Sequence, residues 1–258
     1  MTKKHLIPLV SLTLTSFAAL SDTNDNDIDP SDLTKVYTQA ALMVSGNSNL
    51  MPVGMISGGY DNGHQFALLA EAKFGKTGDN ADNEFGLEYN SSRFQYFQVA
   101  DTGYNFMPRA GLSADYINVR SPNIESDLLA LGGVGAINHQ YTPGFMLFPM
   151  AGYVFGQFDV AGIKDDVDGV NLSIAASIPI SDSGAFMMIW PEYRKLSGSA
   201  IKTENVSTKL IVNAPLTSNK KWWINTRLEL DKLDLKVSGD TLKNQWDSDV
   251  YMGIRYFF

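Results

Sequence analysis

From about residue 36 to the end of the chain, apolar and polar positions alternate with a period of two. That is the spacing of a β-strand, whose side chains point to opposite faces in turn. The clearest stretch is 170–180: Val170, Leu172, Ile174, Ala176, Ile178 and Ile180 share one face, and Asn171, Ser173, Ala175 and Ser177 share the other. The closing stretch, 246–258, sets Trp246, Ser248, Val250, Met252, Ile254, Tyr256 and Phe258 against Asp247, Asp249, Tyr251, Gly253, Arg255 and Phe257. Twelve strands are predicted: 36–46, 51–60, 65–74, 84–100, 109–119, 128–138, 145–158, 170–180, 185–195, 206–216, 222–237 and 246–258. Three are ambiguous. Leu33, Val36, Tyr37, Ala40 and Val44 also fit a helical period. Residues 84–100 read as one strand or as a hairpin turned at Ser91-Ser92, and 145–158 is too apolar on both faces to tell inside from outside.

The connections supply a second constraint. Counted back from the terminus, 238–245, 197–205, 160–169 and 120–127 are long, and 217–220, 181–184 and 140–144, which fall between them, are short. Asp61-Asn62-Gly63 is a tight hairpin turn. Alternating long and short connections with an even strand count describe an up-and-down barrel that has loops at one end and turns at the other. The rule holds only if 84–100 is one strand and 36–46 is another, which favours strand over helix at 36–46. The expected fold is an all-β, transmembrane, antiparallel up-and-down β-barrel of about twelve strands. A sheet in a membrane must close on itself because lipid offers its backbone no hydrogen bonds.

Composition fits this reading. The chain has 258 residues and no cysteine, and no run of apolar residues after the first twenty is long enough for a spanning helix. The charge is −8, with 28 acidic against 20 basic residues. Removing Lys3 and Lys4 with a leader makes it 18 − 28 = −10, which argues against nucleic-acid binding. Residues 1–20 read as a signal peptide: Lys3 and Lys4, then the apolar run 6–14, then small residues at Ser16, Ala18 and Ala19. Residues 21–35 read as a flexible acidic periplasmic leader. Asp25, Asp27 and Asp29 have the spacing of a calcium loop, but Pro30 and Val36 stand where such a loop needs glycine and glutamate. The barrel is expected over 36–258.

The terminal strand resembles the carboxyl-terminal signature of bacterial outer-membrane β-barrels, with Tyr251, Gly253, Tyr256 and Phe258 as the positions that the assembly machinery would recognise. That resemblance implies the outer membrane of a Gram-negative cell, with both termini periplasmic and with outer-membrane lipids, lipopolysaccharide and the barrel-assembly machinery as partners. Strand count and length are similar to solitary autotransporter-type barrels, although too few residues precede the first strand for a passenger. Asn138-His139-Gln140 resembles a stretch of outer-membrane phospholipase A, also twelve-stranded; here Tyr141 stands where that family has its serine, which leaves Thr142 as the candidate nucleophile.

The remaining candidates are inward charges: Glu71, Glu84, Glu88, Asp115, Glu192, Glu229, Asp231, Asp247 and Asp249 against Lys73, Arg109, Arg194, Lys209, Arg227 and Arg255. A selective pore shows a stripe of one sign; this mixture points to salt bridges that fill a narrow lumen. The acids Asp79, Asp82, Asp165, Asp166 and Asp168 read as solvated loop tips that could reach lipopolysaccharide phosphates through divalent cations. No catalytic residue, cofactor or metal site is expected. The function expected is a non-enzymatic, membrane-structural or narrow, porin-like small-solute channel role. The alternatives are a lipid-modifying enzyme and a surface-binding protein acting through its loops.

Overall fold

A computed structural model describes Ile28, Pro30, Ser31, residues 37–76 and residues 86–258. The predicted signal peptide, most of the predicted acidic leader, and Asp79, Asp82 and Glu84 lie outside the described residues. Twelve strands form one sheet: β1 (Gln39–Ser45), β2 (Leu50–Gly59), β3 (Gln65–Lys76), β4 (Leu87–Asp101), β5 (Arg109–Ser121), β6 (Ile124–Ala136), β7 (Met146–Val160), β8 (Ile163–Pro179), β9 (Phe186–Ser197), β10 (Ile201–Pro215), β11 (Trp222–Val237) and β12 (Asp240–Phe257). Each pairs antiparallel with its neighbours, and β1 pairs with β12, so the sheet is a closed barrel. Residues 39–45 are strand and not helix, and 87–101 is one strand.

The outer wall is apolar. Leu42, Leu112 and Ile254, at 52, 72 and 50% exposure, stand with Leu68, Phe94, Leu131, Leu172, Ile174, Val206 and Met252 on the outside. An apolar band of that extent is stable only against lipid. Aromatic residues edge the band. At the end where β1 begins and β12 finishes, called the near end, Trp222 stacks on Tyr256 at 4.7 Å and Tyr256 on Phe258 at 5.1 Å. At the far edge outward tyrosines donate across to the next strand: Tyr116 to Asp127 at 2.7 Å, Tyr153 to Asp168 at 2.5 Å, and Tyr193 to Glu204. Trp246 and Tyr256 lie ten residues apart on β12. At about 3.4 Å per residue and a tilt of about 40°, that is roughly 25 Å, the height of the lipid-facing band in such barrels.

Beyond the far girdle the strands continue. The predicted long connections 120–127, 160–169, 197–205 and 238–245 are strand ends joined by tight turns at 122–123, 161–162, 198–200 and 238–239. Apart from 77–86 at the far end, the longer connections are at the near end, such as 102–108 and 137–145. The physical reason is an inversion of the pattern. Within the membrane, β8 turns Val170, Leu172 and Ile174 outward; past the girdle it turns Lys164, Asp166 and Asp168 outward and Val167 inward. The period of two is unbroken, but outside the lipid the apolar face is the inner one. Phe158, Val160, Val167, Leu196, Ile201, Leu235 and Val237 meet there in an apolar core.

Asp165 is not a solvated tip. It is buried, and accepts from the Ser199 hydroxyl and from the backbone N–H groups of Ala200 and Ile201, each at 2.7 Å. Those hydrogen bonds hold its carboxyl down at about 2.

The wall is uneven. β1 and β2 are 7 and 10 residues long and β12 is 18, so β12 pairs with β1 only from Tyr251 to Phe257. The seam is tight at Gly253, where a Cβ would lie 2.0 Å from the Leu42 carbonyl oxygen and 2.7 Å from Met43 Cα. At the near end Trp223, Phe186 and Phe257 pack inside the barrel with Ile28 and Tyr37 against them, and Pro30 and Ser31 are buried.

Two predictions follow from this packing. Gly253→Ala is expected to destabilise the refolded barrel by about 1–3 kcal/mol, the usual cost of overpacking, in urea unfolding followed by heat-modifiable gel mobility. Gly54→Ala, with open space at that Cβ, is expected to have little effect. Asp165→Ala is expected to speed amide exchange at Ala200 and Ile201 while the barrel persists. Because the folded carboxyl is depressed, its contribution is complete above about pH 4 and lost as the pH falls through about 2. Wild-type protection at these amides should therefore survive at pH 5 and fade near pH 2.

Candidate functional site: an ion-paired lumen

Midway through the barrel, alternate residues of β3, β4, β5, β9, β10 and β11 send charges inward, and these meet across the lumen. On one side Glu71 receives Arg227 at 3.0 Å and Lys209 at 3.8 Å, and Glu229 receives Arg227 at 2.6 Å and Lys73 at 2.5 Å. β3 and β11 are four strands apart around the wall, so these pairs bridge open barrel rather than neighbouring strands. On the other side Arg93 of β4 holds Asp115 of β5 at 2.5 Å and Glu192 of β9 at 2.9 Å, and Glu192 also takes Arg194 at 2.5 Å. Lys209 sits over the Trp190 ring and Lys73 over Tyr251, at 5.5 and 5.4 Å. Arg227 also rests against the Met51 sulfur.

Glu71, Lys73, Asp115, Glu192, Arg194, Lys209, Arg227 and Glu229 are all expected from the sequence, and the fold brings them together. The others fall elsewhere. Arg109 lies toward the near end with Asp101 and Gln65. Glu88 and Asp247 are exposed, and Asp249 is tied to Asn47 and Asn49 at the rim of the short wall. Asp231 faces inward but accepts from Asn205 rather than from a cation. Of the terminal-strand positions, Tyr251 and Gly253 face the lumen while Tyr256 and Phe258 face outward.

The sequence reading missed Arg93. A β-bulge leaves Asn90 unpaired, because Lys73 pairs with Ser91 and Phe74 with Tyr89. One extra residue flips every side chain beyond it. A single phase carried on from Glu88 therefore sends Arg93 outward, whereas after the bulge Phe94 faces lipid and Arg93 and Gln95 face the lumen. The alternation of Arg93 and Gln95 with the aromatic Phe94 and Tyr96 is the signal that could have found it.

The lumen is dry along much of its length. On the inner face of β8, Val167, Ser173, Ala175 and Ser177 are 3, 6, 0 and 0% exposed, although an open pore would wet such a wall from end to end. Among the charges lies a cavity of about 30 Å³ lined by Arg93, Gln95, Asp115, Asn171, Ser173 and Trp190. It has room for one or two waters, and Trp190 Nε1 and Asn171 Oδ1 beside it have no protein partner.

The histidine candidates do not assemble a hydrolytic pair. His139 opens a short 3₁₀ turn (His139–Tyr141) at the near end, and the Thr142 hydroxyl is committed to the Phe145 carbonyl at 2.9 Å. His64 Nδ1 lies 3.3 Å from Gln98 Nε2.

Fold and site together define a class: a twelve-stranded transmembrane β-barrel with a lumen bridged by ion pairs. No protein-family model matches the chain, and no curated protein matches it in sequence. Among solved structures, the chain is similar to the KdgM porin at 11% identity and a TM-score of 0.43, over 86% of this chain and 99% of that one. It is similar to the β domain of the Bordetella autotransporter BrkA at 12% identity and TM-score 0.38, over 86% and 97%. The anion-selective porin from Comamonas acidovorans matches at 12% and 0.37, over 86% and 97%. At this distance the likeness is one of barrel architecture and carries nothing about the lumen.

Removing one partner from the lattice leaves an uncompensated buried charge. Glu71→Gln is expected to lower the unfolding free energy by about 3–5 kcal/mol. Adding Arg227→Met is expected to recover most of that loss in urea titrations of the refolded protein. Additive losses in the double variant would show that the pair is not coupled.

Proposed function

We propose that the protein is an outer-membrane β-barrel of a Gram-negative bacterium with a membrane-structural role and a lumen held shut by its own charges. The termini and near end face the periplasm, and the apolar-cored hairpins project outside. The observation that carries this reading is the cross-lumen lattice, in which Glu71, Arg93, Glu192 and Arg227 each hold partners from across the barrel. A solute would have to break buried ion pairs, each with little water to replace the lost partner. The lipid-facing band and its two aromatic girdles support the membrane location. A terminal strand with Tyr256 and Phe258 outward fits delivery by the barrel-assembly machinery.

A narrow small-solute channel is the second reading, and one observation favours it. Lys73 and Arg109 keep 27 and 31% side-chain exposure, while Arg227 and Glu192 between them have 7 and 6%. Water therefore enters from both ends and stops at the lattice, so that loosening the lattice would join the two.

Planar-bilayer recordings of the refolded protein separate the readings. The wild type is expected to show no steady conductance, and Arg93→Ala combined with Arg227→Ala is expected to conduct. Steady wild-type current at low voltage would replace the structural role with the channel.

A further inference from the structure

Seven described cations face the lumen, and six have a carboxylate within 4 Å: Lys73, Arg93, Arg109, Arg194, Lys209 and Arg227. Arg255 is the exception. Its Nε is sealed from water with no acceptor, and the charged group that acts on it is Arg227, another cation. The register sets Arg255 between Trp223 of β11 and Ala41 of β1, with Trp223 and Phe257 packed and dry toward the near end. The nearest acid on the inner face of β12, Asp249, is bonded to Asn47 and Asn49, and Glu229 on β11 is held by Arg227 and Lys73.

An arginine cannot relieve burial by losing its proton, and an unpaired buried charge is among the costliest features a fold can carry. Each of the other six described lumen cations has a carboxylate of the chain beside it. We infer that Arg255 holds a small inorganic anion, of the chloride or phosphate class, on the near-end side of the ion-pair lattice. The guanidinium fork suits such a ligand, since it offers several donors in one plane. The residue retains partial exposure, so the bound ion exchanges with solvent. This assignment is independent of whether the barrel conducts.

The test compares the full chain, refolded, with Arg255→Met. Thermal unfolding midpoints are measured in chloride, phosphate and the bulky anion gluconate at equal ionic strength. The wild type is expected to gain several degrees in chloride or phosphate over gluconate, and Arg255→Met is expected to lose that gain. The two arms say which anion is preferred. An identical anion response in both proteins overturns the proposal. Crystals grown in bromide give a readout that does not depend on the variant folding: an anomalous peak within hydrogen-bonding distance of Arg255 is expected, and its absence overturns the assignment. The rival partner is a carboxylate of the acidic leader. If changing Asp22, Asp25, Asp27, Asp29 and Asp32 to Asn destabilises the barrel and Arg255→Met restores it, the leader is the counter-charge and the anion is not.

Discussion

The structure depends on one electrostatic constraint: a charge that enters a barrel walled by lipid must find its partner inside the barrel. Neither the hydrocarbon outside nor the dry lumen can solvate it. Glu71 and Arg227 meet this constraint from strands four apart, and Arg93 and Glu192 meet it from strands five apart. Because such pairs are satisfied only when opposite walls are in register, they select one arrangement of the closed sheet. Hydrophobic packing of the same volume could match them in stability. It would not distinguish the correct strand offset from a slip of two residues, which keeps the faces and loses the partners.

The same accounting explains why the barrel changes character along its axis. Its three inner layers are apolar at the near end, ionic in the middle and apolar again beyond the far girdle. The middle layer puts its polar face inward where lipid occupies the outside. Once the strands emerge into water, the cheapest arrangement is that of an ordinary soluble sheet, with Lys164, Asp166 and Asp168 outside and Val167 inside. The row of tyrosines that donate to carboxylates on the next strand marks the changeover, with rings on the lipid side and oxygens toward water.

That inversion also sets what the sequence could reveal. Strand order, strand number and eight of the nine residues of the central lattice were legible, because in the membrane zone period and polarity change together from residue to residue. The projecting hairpins were not. A run such as Lys164-Asp165-Asp166 reads as a loop by composition, and only a phase test that allows the hydrophobic face to switch sides would have kept it in the strand. Arg93 was lost for a different reason, since the bulge at Asn90 shifts the phase by one residue and leaves no mark in composition. Asp165 was lost because its value lies in three donors from another hairpin, a contact between residues more than thirty positions apart.

The closing strand gathers these constraints into one segment. β12 must join β1 along seven residue pairs and β11 along many more. At that short seam the backbone of β1 comes so close to Gly253 that no side chain fits. On either side of the glycine the inner face carries Tyr251, which meets Lys73 of the lattice, and Arg255, which meets no carboxylate among the described residues. The outer face carries Tyr256 and Phe258, which anchor the near girdle through Trp222. A terminal strand read only as an aromatic signature would have freedom at its inward positions. Here those positions are bound by the seam and by the lumen, so the inner face of β12 is the more constrained of the two, and its arginine is the lumen cation that no carboxylate among the described residues meets.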